Sequence, residues 1–170
     1  MNDSAKRTPE PLDRDDPVEA ALLRASRGEA DDDLAVEFRV AGGVPGQRYR
    51  LHLATAGGRL ERCSLDCAMS DRQRESDRKG AESDLVASMA KRLLGTEVLR
   101  VDTGSPKFLP DTLVGVITIK LGDLTRRIFF AADPDQAAVQ GLEPPGAVLA
   151  AADLLYEVAA RALDMEDVRP

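Results

Sequence analysis

The chain has 170 residues and a mass of 18.3 kDa, the size of one domain with or without a tail. Apolar residues make up 43% and aromatics only 4%, with no Trp, so a core must be built from Leu, Val, Ile and Ala. A net charge of −7 argues against a general nucleic-acid binder, no apolar run approaches the roughly 20 residues of a membrane helix, and a single histidine excludes any site that needs two imidazoles.

Residues 1–33 form a compositional block with five basic and ten acidic residues, prolines at 9, 11 and 17, and Asp31, Asp32 and Asp33 at its end. Low hydrophobicity and excess charge predict a disordered acidic tail, although Ala20, Ala21, Leu22 and Leu23 favour a short helix near 17–27. A partner-docking arm is the alternative to a solubilising tail. Residues 1–16 hold no apolar stretch resembling a signal peptide, so a cytoplasmic location is expected.

Ordered structure is expected from Leu34. Leu34, Val36, Phe38 and Val40 alternate with Ala35, Glu37 and Arg39, the period-two pattern of a half-buried strand. A glycine-proline turn follows at 41–47. Tyr49, Leu51 and Leu53 then alternate with Arg50, His52 and Ala54 as a second strand. After Gly57 and Gly58 a third strand covers about 59–68, with Cys63, Leu65 and Cys67 on one face. Residues 70–82 carry four basic and four acidic residues and read as a solvated loop or a polar helix start. Leu85, Met89 and Leu93, flanked by Val86, Ala90 and Leu94, mark an amphipathic helix at 81–94 that stops at Gly95.

Residues 98–101 fit a short edge strand and 102–111 a loop. Residues 112–121 and 124–131 alternate as two strands around Gly122-Asp123, a hairpin turn. Residues 133–145 read as a loop. The last element is an Ala-rich helix at 146–163, with Leu149, Ala152, Leu155 or Tyr156, Ala159 and Leu163 as its apolar stripe. The order β-β-β-α-(β)-β-β-α predicts an α+β fold: an antiparallel sheet of about five strands with two helices packed on one face. The domain boundaries expected are 34–165, with a C-terminal tail at 166–170. The absence of repeating βαβ units argues against a doubly wound nucleotide fold.

Chemical motifs are sparse. Cys63 and Cys67 are four residues apart, roughly 13 Å on a strand, too far for a disulfide or one tetrahedral zinc. Buried core thiols are expected, with a redox or metal role or incidental exposure as alternatives. His52 falls on the polar face of its strand as an exposed side chain with no nucleophile motif around it. Asp111, Asp123, Asp133 and Asp135 sit at strand ends, where Asp serves turn backbone. The run Ala41-Gly42-Gly43-Val44-Pro45-Gly46 lacks the P-loop lysine and the following helix, so it reads as a hairpin loop with positive φ at Gly42, Gly43 or both. Its functional alternative is a protruding loop that enters a partner's cleft. No catalytic residue, metal site or cofactor is expected.

Four pieces of the chain, spanning about 34–162, are similar to the emfourin-like (protealysin inhibitor) family of thermolysin-type metalloprotease inhibitors. They are the strand running into Gly42-Gly43, the helix with leucines from Leu85 to Leu94, Leu109-Pro110-Asp111 before a hairpin, and the helix after Pro144-Pro145. The chain has Ala41 where the family often has Ser before the glycine pair, a longer segment at 59–82, and the acidic block in addition. The resemblance implies a non-catalytic protein-binding domain that inhibits a metalloprotease. The partner-binding residues expected are Ala41, Gly42, Gly43, Val44 and Pro45 of the loop with Arg50 and His52 beside it. The alternative functions are a structural or assembly subunit that oligomerises or scaffolds a complex and, third, a small enzyme with an unrecognised site.

Overall fold

The computed structural model describes residues 16–29, 31–68, 70, 72–75 and 83–170. In chain order these form helix α1 (Pro17–Ser26), strands β1 (Leu34–Gly42), β2 (Tyr49–Ala56), β3 (Arg59–Cys67) and β4 (Arg72–Glu75), helix α2 (Ser83–Gly95), a 3-10 turn (Val98–Arg100), strands β5 (Val114–Leu121) and β6 (Leu124–Ala131), and helices α3 (Pro134–Gln140) and α4 (Gly146–Leu163). The fold is α+β. One antiparallel sheet, in the order β4-β3-β2-β1-β5-β6, carries a helical layer on one face.

Strict alternation dictates this one-sidedness. Val36, Phe38 and Val40 of β1, Leu51 and Leu53 of β2, Leu60, Cys63 and Leu65 of β3, Ile117 and Ile119 of β5, and Ile128 and Phe130 of β6 join one buried cluster with α1, α2 and α4. The intervening residues face away from the helices. A bulge in β3 keeps the alternation in phase. Ala54 pairs with Arg62 and Thr55 with Leu60, so Glu61 is the extra residue and the strand's apolar positions return to the helical side. Phe38, on central strand β1, stacks parallel to Phe130 at 6.4 Å and meets the edge of Tyr156 from α4 at 5.1 Å.

The structure departs from the sequence reading at both ends of the chain. A disordered tail was expected through residue 33, with a short helix favoured near 17–27; residues 17–26 are helical, but Val18, Ala21, Leu22 and Ala25 are buried against α2 and β5 rather than part of a tail. Their i, i+3, i+4, i+7 spacing is a helical apolar face that an average over 33 residues dilutes. Asp16 caps the helix by accepting from the Val18 amide, Pro17 occupies its first turn, and the Asp16 carboxylate pairs with Arg126 of β6 at 2.7 Å. The part of the expected tail at residues 1–15 lies outside the described residues. The C-terminal tail expected at 166–170 is docked as well. Val168 is buried, Tyr49 donates its hydroxyl hydrogen bond to the Val168 carbonyl, and Arg72 donates to the carbonyls of Asp167 and Arg169. The ordered unit therefore begins before residue 34 and continues past 165.

Four smaller corrections follow from local chemistry. Residues 98–101, expected as an edge strand, contain the 3-10 turn, and the sheet edge is supplied by β4, from the stretch expected as a solvated loop. Residues 76–82 of that stretch lie outside the described residues. The loop expected at 133–145 contains α3, which Asp133 caps by accepting from the Asp135 and Gln136 amides, with Pro134 next to it. Leu149 is exposed, because the buried stripe of α4 starts one residue earlier at Val148 and runs through Ala151, Ala152, Leu155 and Ala159.

Integration of α1 into the core has a measurable consequence. Leu22→Ala is expected to lower the unfolding free energy by about 2–4 kcal/mol, the cost of a core cavity, whereas Leu23→Ala at the exposed neighbouring position is expected to cost under ~1 kcal/mol. Urea denaturation followed by circular dichroism distinguishes the two. Equal midpoints for both variants would return residues 17–26 to the status of a tail.

Candidate functional site

The antiparallel topology gathers four connections at one end of the sheet: the β1–β2 loop, the start of β4, the approach to β5, and α3 after β6. The β1–β2 loop is held in place by its glycines. Gly42 has φ of 146°, and a Cβ there would lie 2.3 Å from the Thr112 carbonyl oxygen. Gly43 has φ of 99°, and a Cβ there would lie 2.4 Å from the Gln47 carbonyl oxygen. Both expected positive φ values are present. No other residue type combines these backbone angles with these approaches at low cost. The Gln47 amide donates to the Val44 carbonyl at 2.9 Å and closes the tip as a turn, which leaves Val44 and Pro45 exposed.

Thr112 belongs to a segment that is itself clamped. Gln140 of α3 donates to the Thr112 hydroxyl at 2.9 Å and accepts from the Leu109 amide at 3.0 Å, and Gln136 accepts from the Leu113 amide at 2.9 Å. These bonds present Leu109 and Pro110 next to Val139, around a shallow depression of about 290 Å³. Val139 is 85% and Leu109 60% exposed. With Val44, they put exposed aliphatic side chains from three different connections on the same end of the domain.

The second surface is the face of the sheet turned away from the helices. Across β1–β4 the register aligns Arg39, His52, Ser64 and Glu75 in one row, and Ala41, Arg50, Asp66 and Gln73 in the next row toward the loop end. Together they line an open hollow of about 710 Å³. His52 was expected to be exposed, with no nucleophile motif around it. It is half-buried at the centre of this face, and its Nε2 lies 2.8 Å from Glu37 Oε1. Arg39 bonds the same carboxylate through Nε at 2.7 Å. Burial opposes ionisation of Glu37, but the hydrogen bonds from Arg39 and His52 outweigh it and hold the carboxyl below its ordinary 4.5.

The seven expected binding residues thus divide between two contiguous surfaces. Gly42, Gly43, Val44 and Pro45 form the loop, Arg50 and His52 stand on the open face, and Ala41 joins them at the end of β1. Sequence reasoning missed Leu109 and Val139 as exposed apolar residues, and Arg62, Asp66 and Glu75 as neighbours of His52. Leu109 stood in a noted Leu-Pro-Asp motif. The Asp133-Pro134 pair, a capping residue followed by a first-turn proline, carried the signal for α3 and hence for the exposure of Val139.

Cys63 and Cys67 are both buried on the helical side of β3. Desolvation pushes the Cys63 thiol up to about 12, so it is not a poised nucleophile. Among the described residues no group of three or more His, Cys, Asp or Glu side chains could hold a metal ion, and no helix is long and apolar enough to cross a membrane.

Two tests follow from this geometry. Gly42→Ala and Gly43→Ala are each expected to cost about 1–3 kcal/mol in denaturant unfolding, and full stability in both would mean the loop tolerates other backbones. The depressed Glu37 carboxyl contributes stability that is present above about pH 4.5, its unfolded value, and is lost as pH falls through its lower folded value. Glu37→Gln should therefore flatten the acid limb of stability against pH. An unchanged acid limb would show that the Arg39–Glu37–His52 contacts carry no linkage.

No protein-family model matches this chain, and no curated protein matches it.

Proposed function

We propose that the protein is a non-catalytic binding domain that docks onto a partner protein through the loop end of its sheet, and that the partner class is a thermolysin-type metalloprotease. The observation that carries the reading is the locked β1–β2 loop, where two glycines in backbone conformations closed to other residues hold an exposed Val44-Pro45 tip. A loop already fixed in one conformation loses little entropy on docking, so more of its contact energy appears as affinity. The exposed Leu109 and Val139 widen this end into an apolar contact surface rimmed by polar groups, the usual anatomy of a protein interface. The protease class comes from the resemblance of the strand-to-glycine turn, the leucine helix, Leu109-Pro110-Asp111 and the final helix to metalloprotease inhibitors.

The test is a titration of purified thermolysin-type metalloproteases with the full chain, followed by hydrolysis of a fluorogenic peptide. The expected result is saturable loss of hydrolysis, weakened about tenfold or more by Val44→Asp, equivalent to ~1.4 kcal/mol of binding. Thermal unfolding of Val44→Asp should match the parent chain, because the side chain is exposed. Full protease activity at micromolar chain, across several such enzymes, would overturn the inhibitor reading.

A further inference from the structure

The two segments that enclose the depression at the loop end carry charge of one sign. Residues 108–113 contain Asp111, residues 133–143 contain Asp133, Asp135 and Glu143, and neither segment contains a Lys or Arg. The nearest basic side chain along the chain is the exposed Lys107. Asp133 is committed to capping α3. Asp111 and Asp135 are exposed and have no ion-pair partner among the described residues. Among those residues, Asp135 is also the only charged one that lines the depression between Leu109, Pro110 and Val139.

The uncharged polar groups of the depression are turned inward. Gln140 accepts from the Leu109 amide and donates to the Thr112 hydroxyl, which in turn donates to the Leu109 carbonyl at 2.7 Å. Gln136 accepts from the Leu113 amide, and its Nε2 donates to the Asp111 carbonyl at 3.5 Å. What the depression presents outward is therefore aliphatic carbon with a carboxylate at its margin. A ligand that relies on hydrogen bonds would find these amides already engaged, whereas an apolar side chain seated against Leu109 and Val139 removes apolar surface from water on both partners. The volume, about 290 Å³, falls at the bottom of the roughly 300–1,000 Å³ range of small-molecule sites. A shallow depression of this size suits one anchoring side chain of a protein partner better than an enclosed ligand. The carboxylates then act on whatever flanks the anchor, attracting a cation and repelling another carboxylate.

We propose that the depression between α3 and residues 109–112 seats one large apolar side chain of the partner, and that Asp111 and Asp135 select segments in which this side chain is flanked by Lys or Arg. This assignment rests on the reading of the protein as a partner-binding domain and names the chemistry that its loop end recognises.

The experiment titrates the full, isotope-labelled chain with three end-blocked peptides, Lys-Leu-Lys, Lys-Ala-Lys and Glu-Leu-Glu, and follows backbone amide chemical shifts by NMR. Lys-Leu-Lys is expected to bind saturably, with shifts centred on Leu109, Asp135 and Val139. Lys-Ala-Lys is expected to bind about fivefold or more weakly, having lost the anchor. Glu-Leu-Glu is expected to bind about fivefold or more weakly as well, with the gap closing as salt rises. In Asp111→Asn/Asp135→Asn the difference between Lys-Leu-Lys and Glu-Leu-Glu is expected to vanish. Thermal unfolding of that variant should match the parent chain, because both residues are exposed and Asn tolerates the positive φ of Asp111. Equal binding of Lys-Leu-Lys and Lys-Ala-Lys would overturn the apolar seat. Equal binding of Lys-Leu-Lys and Glu-Leu-Glu by the parent chain, or a preference that survives in the double variant, would overturn selection by the carboxylates. Absence of saturable shifts, or shifts centred elsewhere on the molecule, would overturn both. The anchor and the inhibitor reading fail separately. A chain that inhibits a metalloprotease but does not bind Lys-Leu-Lys refutes the anchor alone, and a chain that binds Lys-Leu-Lys as expected but inhibits no such protease refutes the inhibitor reading alone.

Discussion

Phe38 is the point on which the architecture turns. It occupies the middle of β1, which lies between β2 and β5 in the sheet, and it is fully buried. With aromatics so scarce, its parallel contact with Phe130 and edge contact with Tyr156 concentrate a large share of the aromatic packing at one place. Gly115 makes this possible, since a Cβ at that position would lie 2.1 Å from the Phe130 ring. The cluster joins β1 and β6 to α4. It commits one face of the sheet to the helical layer, and the pleat then commits the other face to solvent. Everything assigned to function here lies on that second face or on the connections at one end of it.

Within that scaffold, rigidity and accessibility coincide at the loop end. Loops usually trade one for the other. Here the β1–β2 tip is braced by backbone close approaches, and the segment before β5 is braced by two glutamine side chains from α3. Both braces satisfy polar groups internally and leave the apolar side chains of Val44, Leu109 and Val139 outward. Such an arrangement forgoes the burial energy those aliphatic side chains could contribute and orders flexible glycines, and it fits a domain whose binding surface is fixed before the partner arrives.

How much of this the sequence disclosed depended on whether a signal was local. The alternation of Leu34 to Val40 and of Tyr49 to Leu53, the Gly122-Asp123 hairpin, and helix α4 at 146–163 were legible, because period and turn chemistry are written within a dozen residues. The helical propensity of α1 was legible, but its burial was not, because that depends on α2 and β5, which lie far along the chain. Strand β4 has no apolar alternation to read, since Arg72–Glu75 is a polar edge strand. The glycine loop and the outward parity of Arg50 and His52 could be inferred from their own strands. The grouping of Arg62, Ser64 and Glu75 around His52 could not, because it depends on a cross-strand register that the bulge at Glu61 shifts by one residue.

The docked C-terminal segment also bears on how quickly the domain assembles. The Tyr49 hydrogen bond to Val168 spans 119 residues of sequence, and those from Arg72 span 95 and 97. These contacts tie the C-terminal segment to β2 and β4. The loop closed by each is nearly as long as the domain, so its entropy must be given up before the contact returns anything. Closures of this span raise the mean sequence separation of contacts and slow folding relative to a domain held by local contacts alone.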